Sequence, residues 1–154
     1  MNTNVIILGA GAAGLMCAIE AGRRGRSVII LDHASKIGQK ILASGGGRCN
    51  FTNLNIQAEN YLSANPHFCK SALARFTPQD FIALVKKHRI SYQEKENGCI
   101  FCNGSSRQIV DMFQKECDSA GVKMRLNCKI QEITKKRRFI VKTNSGVIES
   151  ESLV

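Results

Sequence analysis

The sequence has no long hydrophobic run. Its most apolar end, the N-terminus, lacks a basic flank and is cut by Gly9, Gly11 and Gly14 before Glu20 is reached. That stretch is too short and too glycine-rich for a membrane-spanning helix, and it lacks the charged start of a signal peptide. No secreted disulfide framework is readable either. The seven cysteines are odd in number and widely spread, so a reducing cytoplasm is the expected home. Carboxylates are few, 12 against 22 Lys and Arg, which leaves a formal net charge of +10. The basic residues nevertheless form no single long tract. The densest run, Lys135-Lys136-Arg137-Arg138, is flanked by strand-like sequence and reads as a solvated hairpin turn. Nucleic acid is therefore not the expected partner, and a site for a polyanionic cofactor accounts for part of the charge. Internal repeats and flexible linkers are missing. So is a second ligand pair that would make Cys99-Ile100-Phe101-Cys102 a structural zinc site. No Ser/His/Asp or Cys/His nucleophilic set is readable, and no metal site is expected.

What remains is ordinary globular material, 44% hydrophobic and 22% charged, enough for one domain over residues 1–154. Val5-Ile6-Ile7-Leu8 is an apolar run bounded by glycine, as in a strand buried on both faces. A helix is predicted from Ala12 to Arg24, followed by a second buried strand over Ser27–Leu31. Strand, helix and strand in about thirty residues make a parallel βαβ unit. Further on, the pattern predicts a short helix over 35–42, a glycine-rich polar loop over 43–53 and a helix over 66–76. Thr77-Pro78-Gln79-Asp80 then opens another helix with an N-cap and an N1 proline. Asn97-Gly98 marks a hairpin turn between two short strands in 91–102. A helix over 105–120 precedes three or four late strands. The fold class expected is α/β, Rossmann-like, with a parallel sheet and a late antiparallel meander.

Chemistry enters with Gly9-Ala10-Gly11-Ala12-Ala13-Gly14, which fits G-x-G-x-x-G. The string alone says little, but here it follows a buried strand, opens a helix and lies inside a βαβ unit. Gly9 permits the tight turn, Gly11 lets a pyrophosphate approach the backbone and Gly14 lets the helix pack closely. Free N–H groups at the helix start meet the phosphates, and the small Ala12 and Ala13 keep that approach open. Asp32 stands where the second strand ends, placed to accept hydrogen bonds from ribose hydroxyls, with His33 at the border of the adenosine.

This pattern does not separate FAD from NAD, whereas the following segment does. Gly38-Gln39-Lys40 and Ser44-Gly45-Gly46-Gly47-Arg48-Cys49-Asn50-Phe51-Thr52-Asn53 resemble the signature of a bacterial flavoprotein family that includes aminoacetone oxidase and a dehydro-bile-acid reductase. The resemblance extends over essentially the whole chain. It implies a glutathione-reductase-type FAD/NAD(P)-binding fold and an FAD-dependent oxidoreductase acting on a small molecule, with NADH or NADPH as a possible electron donor. Lys40 and Arg48 would then offset phosphate or flavin charge. Ser44, Asn50 and Thr52 would donate hydrogen bonds, Gly45, Gly46 and Gly47 would allow close backbone approach, Cys49 would lie beside the flavin, and the backbone of Ile130 would meet the adenine. The family often has Phe-Pro where this chain has Phe101-Cys102, commonly Arg at the position of Gln39, and Glu at that of Asp32. Leu54 stands where disulfide reductases of this fold carry their second cysteine, so no dithiol relay is expected.

Proteins of the resembled family run well beyond Val154. The chain is thus expected to be the N-terminal part of an FAD domain, truncated at its C-terminus, with the substrate domain absent and a complementary C-terminal chain possible. Its last strand is expected to be short or unpaired. Three functional readings stay open: the cofactor-binding part of an FAD-dependent oxidoreductase with little activity alone, a non-catalytic dinucleotide-binding remnant, and a basic RNA-binding module.

Overall fold

The computed structural model describes residues 2–154, which divide into two compact units, 2–40 with 110–154, and 41–109. None of its helices is long and apolar enough to cross a membrane.

The first unit is built on the expected βαβ core. Strand β1 (Asn2–Leu8), helix α1 (Ala12–Arg23) and strand β2 (Val28–Leu31) follow in order. β1 and β2 pair in parallel, Val5 opposite Val28 and Leu8 opposite Leu31. β2 is buried at all four positions, the signature of a strand covered on both faces. Helix α1 buries Leu15, Ala18 and Ile19, spaced on one face at helical period. Helix α5 (Arg107–Ser119) brings the chain back into this unit, where Glu116, nearly buried, pairs with the Arg23 guanidinium. Strands β6 (Lys123–Arg125), β7 (Ile130–Lys135), β8 (Phe139–Thr143) and β9 (Gly146–Leu153) complete it. The sheet order is β6-β2-β1-β9-β8-β7, parallel from β6 to β9 and antiparallel beyond. The late meander therefore holds three strands, because β6 joins the parallel part beside β2. The run at 135–138 is the β7–β8 turn, as read, closed by the Lys136 N–H on the Arg138 carbonyl at 3.0 Å.

One expectation fails clearly. β9 is neither short nor unpaired: it has eight residues, with β8 on one side from Gly146 to Ser150 and β1 on the other from Glu149 to Leu153. The turn at Asn144–Gly146 sets the hairpin register, and the strand then outruns β8 far enough to meet β1. Its core side chain, Ile148, is fully buried with Ile6, Ile29, Leu31, Cys128 and Val141.

The second unit holds helix α2 from its third residue on (Gln39–Ala43), strand β3 (Asn50–Asn53), helices α3 (Lys70–Arg75) and α4 (Pro78–Lys87), and strands β4 (Tyr92–Glu94) and β5 (Cys99–Cys102). Its antiparallel sheet runs β3-β5-β4. The predicted helices over 35–42 and 66–76 are each reduced to a short helix at the C-terminal end. In the second case Pro66 and the Asn65 side chain, which accepts from the His67 N–H at 3.0 Å, hold the start in a turn. Helix α4 begins as expected: Thr77 Oγ1 accepts from the Asp80 N–H, and Asp80 Oδ2 accepts from the Thr77 N–H at 2.7 Å. The β4–β5 turn has Asn97 and Gly98 both at positive φ, 58° and 76°, as a tight hairpin requires.

Candidate functional site

In the first unit the glycine motif forms a tight turn between β1 and α1. The Gly9 N–H donates to the Leu31 carbonyl at 2.8 Å, and φ of Gly9 is +109°, open only to glycine. Gly14 has a different reason. A Cβ built there would lie 2.0 Å from the Gly9 carbonyl oxygen and 3.3 Å from the Ile7 side chain, so the helix could not sit this close to the strand with any larger residue. At Gly11 a Cβ would meet nothing within 4 Å. The space in front of that residue is open.

Helix α1 starts from Gly11 with no side-chain cap and no acidic residue in its first turn. Its first internal bond runs from the Leu15 N–H to the Gly11 carbonyl at 2.9 Å, which leaves the N–H groups of Ala12, Ala13 and Gly14 without helical partners. Gly11, Ala12 and Ala13 are exposed. Unspent donors, a positive dipole end and empty space together suit an anion. These residues fit the pyrophosphate of a dinucleotide.

Asp32 lies one residue beyond β2, half-buried. Its carboxylate has a role that spacing did not reveal: Oδ2 accepts from the Ala10 N–H at 2.6 Å and Oδ1 from the Ala34 N–H at 2.8 Å. Ala10 is held on its other side as well, its carbonyl accepting from the Gly38 N–H at 2.8 Å. The glycine turn is thus clamped from two directions, and each Asp32 oxygen keeps a further lone pair. His33 is exposed, its Nδ1 3.5 Å from Asp32 Oδ1. Lys40 is exposed on α2, and Ile130, 39% exposed, opens the edge strand β7.

In the second unit, Ser44–Gly47 is a tight turn with Gly45 and Gly46 left-handed, at φ 58° and 61°. A Cβ at Gly45 would come within 2.8 Å of both the Phe101 ring and the Asn50 nitrogen, so the glycine is also a steric necessity. Backbone bonds make this segment a built structure. Gly47 O accepts from the Ser106 N–H at 2.7 Å, Arg48 O from the Cys102 N–H at 3.0 Å, and Ser106 Oγ donates to Leu42 O at 3.0 Å. Ser106, buried, went unnoticed as part of this loop because it lies far along the chain.

The expected loop over 43–53 ends in a strand, since 50–53 pair with β5. Two of the expected donors have partners within the protein. Ser44 Oγ already donates to the Ile41 carbonyl at 2.8 Å, and the Asn50 amide nitrogen is placed to donate to Thr52 O at 3.0 Å and Ile100 O at 3.2 Å. Both hold the loop itself. Thr52 is half-buried, while Gly45, Gly46, Gly47 and Arg48 are exposed.

Cys49 is buried, with φ of 51°. Burial pushes its thiol up, only partly offset by a hydrogen bond with Ser44. Cys102 is pushed up to about 11 by burial and by Cys49 nearby. These are protonated thiols, poor nucleophiles at neutral pH. On β5 the burial alternates, Ile100 and Cys102 inward, Cys99 and Phe101 less so, so the two cysteines of the C-x-x-C face opposite sides of the strand.

The fold and the glycine turn define a Rossmann-like α/β domain of the dinucleotide-binding type. The chain matches the family described as HI0933-like protein Rossmann domain over residues 3–154, and it belongs to that family. It is 51% identical over 152 residues to ribosomal RNA dihydrouridine synthase of Escherichia coli and 48% identical over 154 to the Haemophilus influenzae protein of that name. These matches span 98% and 97% of this chain but 38% of each relative. The 3-dehydro-bile acid delta(4,6)-reductase of Clostridium scindens is 43% identical over 72 residues, 46% of this chain and 18% of the relative. Among solved structures, 3-ketosteroid-delta4-(5alpha)-dehydrogenase from Rhodococcus jostii superposes with a TM-score of 0.69 at 13% identity, covering 99% of this chain and 45% of that one. At such identity the likeness is one of fold.

Proposed function

We propose that this chain is the FAD-holding part of an oxidoreductase whose substrate is a uridine in ribosomal RNA. The carrying observation is the 51% identity to the E. coli rRNA dihydrouridine synthase across 98% of the chain. The open helix start behind Gly11 supports the dinucleotide part of the reading. On this view the α1 N–H groups bind the pyrophosphate, Asp32 holds the turn and receives the ribose, and Lys40 and Arg48 balance negative charge. Bound FAD would supply the electron pair for reduction. The polypeptide's work is to bind and orient the cofactor. The buried thiols of Cys49 and Cys102, held protonated, line the second unit without serving as nucleophiles.

The resemblance in the glycine-rich segment implies a small-molecule substrate, and the bile-acid reductase match keeps that as a second reading over less than half the chain. An RNA substrate also agrees with the charge of +10, since Lys and Arg gain from phosphate contacts.

Two measurements test this. Purified chain reconstituted with FAD should carry a visible flavin band that is released on denaturation. No band from folded protein rejects the cofactor reading. Disruption of the gene should abolish dihydrouridine at a position in ribosomal RNA; an unchanged dihydrouridine map rejects the substrate reading.

A further inference from the structure

From Asn60 to Gln79 the chain contains no carboxylate, yet it holds His67, Lys70 and Arg75. The same segment, within the second unit, leaves large apolar side chains in solvent: Leu62 is 98% exposed, Phe68 79%, Tyr61 47% and Phe76 44%. Half of the large apolar side chains exposed among the described residues lie here. Scattered single cases need no explanation, but a cluster marks a contact surface.

The segment is not a loose tail. Cys69 Sγ donates to the Ala58 carbonyl at 3.7 Å, which ties the residues just before the exposed segment to the start of α3. Inside it, Ser63 Oγ accepts from the Asn65 N–H at 3.2 Å, and the Phe68 N–H donates to Asn65 O at 3.1 Å. Helix α3 then carries Lys70 and Arg75, and Phe76 rests edge-on against Phe81 at 6.4 Å between ring centroids. Aromatic rings are therefore exposed along a braced loop that runs into a helix carrying two cations.

Cations without carboxylates favour a polyanion, and exposed rings favour flat π-systems to stack on. Single-stranded nucleic acid offers both, with no demand on sequence. An amphipathic membrane anchor would need a longer apolar helix face than six residues supply. An enzyme that works on a base must also take it out of the helical stack, which leaves unstacked neighbours in need of a platform.

We infer that the 61–76 loop is a docking surface for single-stranded RNA, with Tyr61 and Phe68 stacking on unpaired bases and Lys70 and Arg75 contacting phosphates. This rests on the reading of ribosomal RNA as substrate, and it adds the place where strands flanking the target uridine are held.

The test is fluorescence anisotropy of the whole chain with a short labelled oligouridylate, against a duplex RNA of equal length. Wild type should prefer the single strand. Tyr61→Ala with Phe68→Ala should weaken binding about tenfold or more, while Tyr61→Phe with Phe68→Tyr keeps it. Lys70→Gln with Arg75→Gln should lower the slope of log affinity against log salt by about 1.4. Circular dichroism melts and flavin content like those of wild type would show that each variant is folded. Equal binding by wild type and the alanine pair overturns the proposal, as does preference for duplex. It is also overturned if the alanine pair instead dissolves a dimer of this chain, or abolishes binding to anionic vesicles while RNA binding is absent. Such a failure leaves the rRNA reading standing if gene disruption still removes dihydrouridine. If the dihydrouridine map is unchanged while the variants lose oligouridylate binding, the surface stands and the substrate reading falls.

Discussion

Asp32 Oδ2 accepts the backbone N–H of Ala10 at 2.6 Å, across the turn that joins β1 to α1. The acid that ends β2 thereby fixes the shape of the glycine loop, independently of anything bound in front of it. Asp32→Ala should remove two charge-assisted hydrogen bonds, with Ala10 nearly buried. Bonds to charged groups contribute about 1.5–3 kcal/mol each, lowered by partial exposure, so a loss of about 2 kcal/mol is expected in urea denaturation. A change below about 0.5 kcal/mol would show that the clamp contributes nothing.

Gly11 and Gly14 should separate binding from folding. Gly14→Ala puts a methyl 2.0 Å from a backbone carbonyl, and overpacking against a backbone atom costs about 3 kcal/mol or more. Gly11→Ala meets open space, so its melting temperature should stay near wild type while FAD retention falls sharply. If Gly11→Ala binds FAD as wild type does, the pyrophosphate does not lie there.

Alkaline pH should weaken the fold through its buried thiols. Cys102 and Cys117 are pushed up to about 11 from an ordinary 9.0, chiefly by burial. A thiol harder to ionise in the fold than in the unfolded chain contributes stability below 9 that is lost as pH rises through 11. Urea midpoints should therefore fall between pH 9 and 11. In Cys102→Ala that fall should be shallower, and an identical slope would reject the assignment. Iodoacetamide at neutral pH should modify Cys17, Cys69 and Cys99 before the buried four.

Strand β9 should behave as core sheet. Ile148, fully buried, should cost about 2–5 kcal/mol as Ile148→Ala. Its neighbour Val147, 47% exposed, should tolerate Val147→Thr within about 0.5 kcal/mol. Similar losses at both positions, measured by denaturant melts, would contradict the register.

The four-residue apolar run of β2, the glycine spacing and Asp32 were legible because they depend on local rules: burial on both faces, a turn open to glycine, a helix start. The same holds for Thr77 at its cap and Asn97-Gly98 in its hairpin, where the side chains that decide the geometry are adjacent in the chain. The long polar segment after Gly38 was legible only as a resemblance, and its end, 50–53, looked like loop because its pairing partner lies beyond Ile90.

Tertiary structure decided what depended on distant partners. β9 looked like an unpaired end, since nothing in Gly146–Leu153 announces that β1, at the other terminus, offers it a free edge. The spacing places Asp32 toward a ribose, and the structure adds a second role that spacing does not show: it accepts from the Ala10 N–H, a donor that reaches it only when β1 and β2 lie side by side. Ser44 and Asn50, expected as donors to a cofactor, also bond carbonyls of the protein itself, Ile41 for Ser44 and Thr52 and Ile100 for Asn50. Local propensity determined which elements form. Long-range hydrogen bonding, which has to satisfy every buried polar group, determined which side chains remain available for function.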